Sequence, residues 1–310
     1  DGKHEIEYMK LHKLECCINL CSHIVNFDED DDKIKIFDKL FCYRDYNNFI
    51  QLYTIIDNQE RLIIYFRQSD SHYDWINNFK IDFANYNQLF IHANNYISKK
   101  SNNVFDIQKY KNVKTHNGFT SGFLMDNINE NEETNLVEFL TDIIDNYNKT
   151  TVKNKQIIVT GHSLGGGLSL VSSLFIKEYI NLIKSKIKLN IIATGAPRVG
   201  NDDFVLMVKN EIIDVLDAEL YKIVRKGDII ISVPTRQFNY HPIEYEIVSN
   251  SASPYSITEK TIGNSLLYKI VYCCRSGLIL INYSLDYMIP TFIDYHESLK
   301  YYSDFYTYKE

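Results

Sequence analysis

The chain has 310 residues, 45% of them apolar and 24% charged, a balance that excludes the low-hydrophobicity signature of disorder and provides for a sizeable core. Its charges sum to −7, from 33 Lys and Arg against 40 Asp and Glu; such a balance sets up no field to draw in a phosphate backbone from a distance, so no nucleic acid partner is expected. The most apolar region, Ser265 to Leu285, is broken by Lys269 and Arg275, and no run reaches the roughly 18 apolar residues of a membrane span. In chain order, Met9, Leu14, Cys17, Ile18, Cys21 and Val25 recur at helical spacing and predict an amphipathic helix over 8–25. The acidic run Asp28 to Asp32 that follows lacks the spaced ligands and the glycine of a calcium loop and reads as solvated. Gln51 to Asp57 and Arg61 to Phe66, with Asn58 between them, predict the two strands of a hairpin. Further on the pattern changes. Gln156 to Val159 leads into a helix over about 168–183, Asn190 to Ala193 into a helix over about 202–216, and Leu220 to Val224 is another strand. Short apolar strands alternating with helices predict an α/β fold around a mostly parallel sheet buried on both faces, the early hairpin supplying an antiparallel edge. No fixed-period repeat and no Gly/Pro/Ser-rich linker divides the sequence, so one domain over 1–310 is expected.

Some features carry little functional weight. Cys16, Cys17, Cys21, Cys42, Cys273 and Cys274 include two adjacent pairs and no Cys-x-x-Cys. Buried thiols are the expectation, with a bridge from the 16–21 helix to the 273–274 pair as the alternative. No His, Cys, Asp or Glu cluster stands at metal-ligand spacing, and no metal or cofactor is called for. Asn148-Lys149-Thr150 and Asn282-Tyr283-Ser284 are glycosylation sequons, of small weight in so Asn-rich a chain. The first residue is Asp1, so a targeting signal is expected to lie outside the sequence; secretion is the favoured compartment, and the oligomeric state is left open.

The sharpest signal is Thr160-Gly161-His162-Ser163-Leu164-Gly165-Gly166-Gly167, which follows a strand and opens a helix. Gly-x-Ser-x-Gly in that context is a nucleophile elbow: the glycines flank a serine whose strained turn leaves no room for neighbouring side chains. At the helix start, the Leu164 amide can donate to an oxyanion.

From here the residues resemble a known family. Gly161 to Gly166, then Gly195-Ala196-Pro197-Arg198-Val199-Gly200-Asn201, then Gly227-Asp228 before Val233-Pro234 look like successive motifs of the class 3, fungal-type lipases. Phe66-Arg67 with Trp75, His116-Asn117-Gly118-Phe119, Glu244-Tyr245-Glu246-Ile247 and Tyr295-His296 resemble four further segments of the same family, over about residues 60 to 300. The resemblance implies an α/β-hydrolase fold and hydrolysis of lipid esters.

In such a fold the order is Ser, acid, His. Of the aspartates after Ser163, Asp214 and Asp217 fall in the predicted helix, and Asp202 and Asp203 stand where N-capping explains them. Asp228 follows a strand at the carboxyl edge, where α/β sites form, and is the expected acid. His241 precedes Pro242 and a strand-like run, which suits packing. His296, in a loop entering a helix, is the expected base. His162 and His116 read as structural hydrogen-bonders.

The resemblance points to Ser69 as the second oxyanion donor with Leu164, although Gln68 holds the position usually filled by glycine. The segment Ser71 to Phe79 sets Trp75, Ile76 and Phe79 among polar residues and suggests a lid opening at a lipid–water interface; the alternative is a docked core helix. The reading is a triacylglycerol-lipase-type serine hydrolase. A phospholipase A1 or soluble-ester esterase is the alternative within the class, and a catalytically silent binding protein on the same fold the alternative outside it.

Overall fold

A computed structural model describes residues 40–44, 51–56, 59–67, 82–124, 126–129, 132–225, 228, 230–243, 246–250 and 253–258. In chain order the elements are β1 (Leu40–Arg44), β2 (Gln51–Ile56), β3 (Leu62–Phe66), β4 (Phe83–Asn85), α1 (Asn87–Ile97), β5 (Lys114–His116), α2 (Asn117–Leu124), β6 (Asp126–Asn129), β7 (Glu132–Asn135), α3 (Leu136–Asn148), β8 (Gln156–His162), α4 (Leu164–Leu182), β9 (Lys188–Thr194), α5 (Asp202–Val208), β10 (Ala218–Arg225), β11 (Glu246–Asn250) and β12 (Ser253–Thr258).

Among the described residues, eight strands make one sheet in the order β1-β2-β3-β8-β9-β10-β11-β12. The five from β3 to β11 run parallel, and the expected hairpin, β2 with β3, joins β1 as an antiparallel extension at one edge. β12 closes the other edge antiparallel to β11. Every residue of β3, and every residue of β8 after Gln156, is buried. That is the signature of parallel strands covered on both faces, and it explains why Leu62 to Phe66 and Ile157 to Val159 are continuous apolar runs rather than alternating ones.

The helices that cover the sheet follow their sequence patterns. In α3, Leu136, Val137, Leu140, Ile144 and Tyr147 form the buried stripe, and Asn135 caps the start by accepting from the Glu138 N–H. α4 is buried from Gly165 to Ile180, as a helix seated over the middle of a sheet must be. An aromatic block of Tyr86, Phe90, Phe105, Tyr110 and Phe175 fills the space beside it, with Tyr86 Oη donating to the Val171 carbonyl at 2.6 Å.

Two expectations are corrected. The helix expected over 202–216 is α-helical only to Val208, continues as a single π-helical turn over Lys209–Ile213 and stops there. Asp217 therefore lies in the turn before β10, where its carboxylate receives Lys177 Nζ at 2.7 Å. The cap of α5 is Asn201, whose Oδ1 accepts from the Phe204 N–H; Asp202 and Asp203 sit one step inside, in the first turn, where their charge suits the helix N-terminus. The helix expected over 8–25, the acidic run, the 71–79 segment and five of the six cysteines lie outside the described residues.

Candidate active site

β8 ends at His162 and α4 begins at Leu164, so Ser163 alone makes the turn between strand and helix. It does so at φ 57° and ψ −117°, a conformation an L-residue with a β-carbon rarely adopts. The surrounding bonds hold it there. The Ser163 N–H donates to the Thr194 carbonyl at 3.0 Å, and the Ser163 carbonyl accepts from the Gly167 N–H at 3.0 Å.

The glycines are explained by what a side chain would meet. A β-carbon at Gly161 would stand 2.4 Å from the Gly165 backbone, and one at Gly165 only 2.1 Å from the Phe66 carbonyl oxygen. The end of β3 is thus pressed against the first turn of α4. Gly166 is closed off by the Thr194 carbonyl at 2.9 Å, and Gly167 by the Phe119 ring at 2.9 Å. The His116 to Phe119 segment buttresses the elbow through that ring. Ser163 is itself 6% exposed. The Leu164 amide belongs to the first helical turn, whose N–H groups point out of the helix end without intrahelical acceptors, as an oxyanion donor requires.

Asp228 follows β10 by three residues, is buried, and is oriented by the Ile230 N–H, which donates to Oδ1 at 2.8 Å. β9 lies between β8 and β10, which sets the axes of the nucleophile and acid strands about 10 Å apart. An imidazole with a hydrogen bond at each end fits a separation of that order. The loop after β9 seals the same edge: the Arg198 N–H donates to the Val233 carbonyl at 2.8 Å, the His116 N–H to Val199 at 2.8 Å, and Asn201 bonds the backbone of Lys114 and Asn112.

Three of the described histidines, His162, His116 and His241, are engaged as structural groups. His162 Nδ1 is 3.0 Å from Thr194 Oγ1. His116 accepts from the Gly118 N–H at Nδ1, and burial pushes its pKa down to about 4, against an opposing pull from Asp82. The His241 N–H donates to the Gly200 carbonyl, and its ring faces Asn239 and Asp202. Thr194 is the residue the sequence reasoning missed. Its importance comes from register, since it pairs with His162 across β8 and β9, and register is not visible in a single strand.

Of the expected site residues, the structure places Ser163, Leu164 and Asp228 at the carboxyl edge of the sheet. His296, Ser69, Trp75, Ile76 and Phe79 lie outside the described residues. Phe66 and Arg67, which lead toward Ser69, end against Gly165. Among the described residues no group of three or more His, Cys, Asp or Glu could hold a metal ion, and no helix is long and apolar enough to cross a membrane.

A mostly parallel sheet with a strained serine between strand and helix defines an α/β-hydrolase fold with a nucleophile elbow. The model of the family described as Lipase (class 3) matches residues 63–238, more than half of the chain, and the chain belongs to that family. A lipase of Rhizopus niveus is 29% identical over 188 residues, 58% of this chain and 44% of its own. A secreted mono- and diacylglycerol lipase of Malassezia globosa, MDL3, is 38% identical over 112 residues, 34% of each. The chain thus spans less than half the length of these curated relatives. Among solved structures, Lip2 lipase of Yarrowia lipolytica has the same fold at a TM-score of 0.57 and 18% identity, over 86% of this chain and 90% of that one.

Proposed function

We propose that this chain is a serine hydrolase that cleaves carboxylic esters of lipids, acylglycerols foremost, within a single α/β-hydrolase domain. The observation that carries the reading is Ser163, held at positive φ between β8 and α4 in a chain of the class 3 lipase family. In the proposed reaction His296 takes the Oγ proton as Ser163 attacks the ester carbonyl carbon. The resulting oxyanion receives hydrogen bonds from the Leu164 amide and from Ser69. Collapse expels the alcohol, which leaves with the proton held by His296, and an acyl-enzyme remains. A water molecule deprotonated by His296 then releases the fatty acid and restores Ser163. Asp228 orients the imidazole and stabilises its charged form. His296 and Ser69 enter on the family resemblance and on chain order. Ser71 to Phe79, with Trp75, Ile76 and Phe79, is proposed as the lid, and a secreted compartment accords with the names of the Malassezia relatives.

A serine-directed phosphonate should modify the protein once, at Ser163, and Ser163→Ala and His296→Ala should each lower ester turnover by about 10³-fold or more. Modification elsewhere, or none, would overturn the reading. A panel from short soluble esters through emulsified triacylglycerol to phospholipid separates lipase from esterase and phospholipase A1. A rise in activity above the solubility limit, with a blue shift of Trp75 fluorescence, is expected of a lid.

A further inference from the structure

We infer that His162 and Thr194 form a hydrogen-bonded clamp that holds Ser163 in its reactive conformation, with Thr194 a positioning residue for catalysis; the inference rests on the proposed serine-hydrolase reading. Thr194 closes β9 and stands opposite His162, the last residue of β8. Its two oxygens act on the two sides of the elbow. The carbonyl accepts the Ser163 N–H at 3.0 Å. The hydroxyl donates to the Gly161 carbonyl at 3.3 Å and lies 3.0 Å from His162 Nδ1.

A hydroxyl has one proton. Once it is given to Gly161, the contact with His162 requires Nδ1 to be the donor, which fixes that tautomer of the ring. The chain then runs from the His162 Nδ1–H through the Thr194 hydroxyl to the Gly161 carbonyl, tying down the residue before the nucleophile and the residue before that. His162, Thr194 and Gly161 are all buried, so water cannot replace a lost bond, and in such surroundings each bond matters more than at the surface. The φ of 57° at Ser163 is a conformation that persists only where neighbours over-determine it. Thr194 supplies three of the contacts that do so: its carbonyl to Ser163, the same carbonyl close against Gly166, and its hydroxyl to the strand side.

The test is Thr194→Val, which keeps the shape and the carbonyl and removes the hydroxyl, with Thr194→Ser as the conservative partner. Turnover of a soluble ester is expressed per phosphonate-titratable Ser163, so that a loss of folded protein does not count. In Thr194→Val, kcat per titrated site should fall about tenfold or more and phosphonylation should slow in parallel. KM should stay within about twofold, and Thr194→Ser should recover most of the rate. A merely structural role would lower the titratable fraction and leave kcat per site unchanged, and a kcat per site within threefold of wild type overturns the clamp.

Should Thr194→Val fail to fold, His162→Asn and His162→Gln decide the matter. An Asn amide can donate from near the Nδ1 position and a Gln amide cannot, so Asn should be the more active; equal rates, or the reverse order, overturn the clamp. A wild type that neither turns over esters nor reacts with phosphonate would fail the hydrolase reading instead. In that case the crystal structure of Thr194→Val decides the clamp alone, since Ser163 remaining at positive φ would overturn it.

Discussion

Asp228 and the elbow glycines carry the most at the scale of single residues. Asp228→Asn keeps a side-chain oxygen where the Ile230 N–H donates, so the variant should fold and melt close to wild type. An amide at that position favours the wrong orientation or tautomer of the base, and turnover should fall by about 10⁴-fold. A large drop in melting temperature with turnover retained per folded molecule would reassign Asp228 as a turn residue. Gly165 and Gly167 offer a paired contrast. A β-carbon at Gly165 meets backbone of β3, which can yield only if strand and helix part. Gly165→Ala should therefore destabilise by about 1–3 kcal/mol and, by displacing the nucleophile, cost about 10²-fold or more in kcat. At Gly167 the obstacle is the tip of the Phe119 ring, which can move. Gly167→Ala should be mild, and Phe119→Leu should relieve it; equal effects at the two glycines would contradict this account.

At the scale of elements, what the sequence revealed depended on burial. β3, β8 and β9 were legible because strands covered on both faces are nearly continuous apolar runs, and the elbow was legible because Gly161, Ser163 and Gly165 stand in one short stretch between strand and helix, although the backbone that closes on Gly165 and Gly166 comes from distant Phe66 and Thr194. β12 was not. Ser253-Pro254-Tyr255-Ser256-Ile257-Thr258 has a proline inside the strand, which reads as a breaker; it fits because β12 is outermost among the described strands and Pro254 stands opposite the irregularity between Val248 and Asn250. Position in the sheet is a tertiary fact that no local pattern carries. The end of α5 escaped for a related reason: Val208 and Ile212 keep helical spacing and are both buried, so hydrophobic periodicity runs on past the point where α-helical bonding changes. The 116–119 segment was recognised by its residues, yet its task, a ring wedged on Gly167, emerged only when α2 and α4 were seen together.

The stability of the whole molecule answers to pH through a buried histidine outside the proposed triad. His116 is neutral in the native state until about pH 4, whereas an imidazole in the unfolded chain takes a proton near 6.5. Between those values the unfolded state binds the extra proton, so this group's contribution is complete above about pH 6.5 and is lost as pH falls toward 4, by about 3 kcal/mol in all. Urea unfolding at pH 7.5 and 4.5 should show a larger loss for wild type than for His116→Asn; equal losses would remove His116 as the cause. The sheet order has a further consequence, for how the molecule comes into being. Phe66 pairs with Gly161 across β3 and β8, and the same junction presses the Phe66 carbonyl on Gly165, so the nucleophile acquires its setting only after two distant parts of the chain have met. Parallel pairing of that kind is slow, because the entropy of closing a long loop comes before any reward from contact. On dilution from denaturant, helical signal should return well before Ser163 becomes reactive, and pulses of phosphonate should label the protein only in the last kinetic phase. Reactivity present from the first phase would mean that the elbow forms locally, without β3.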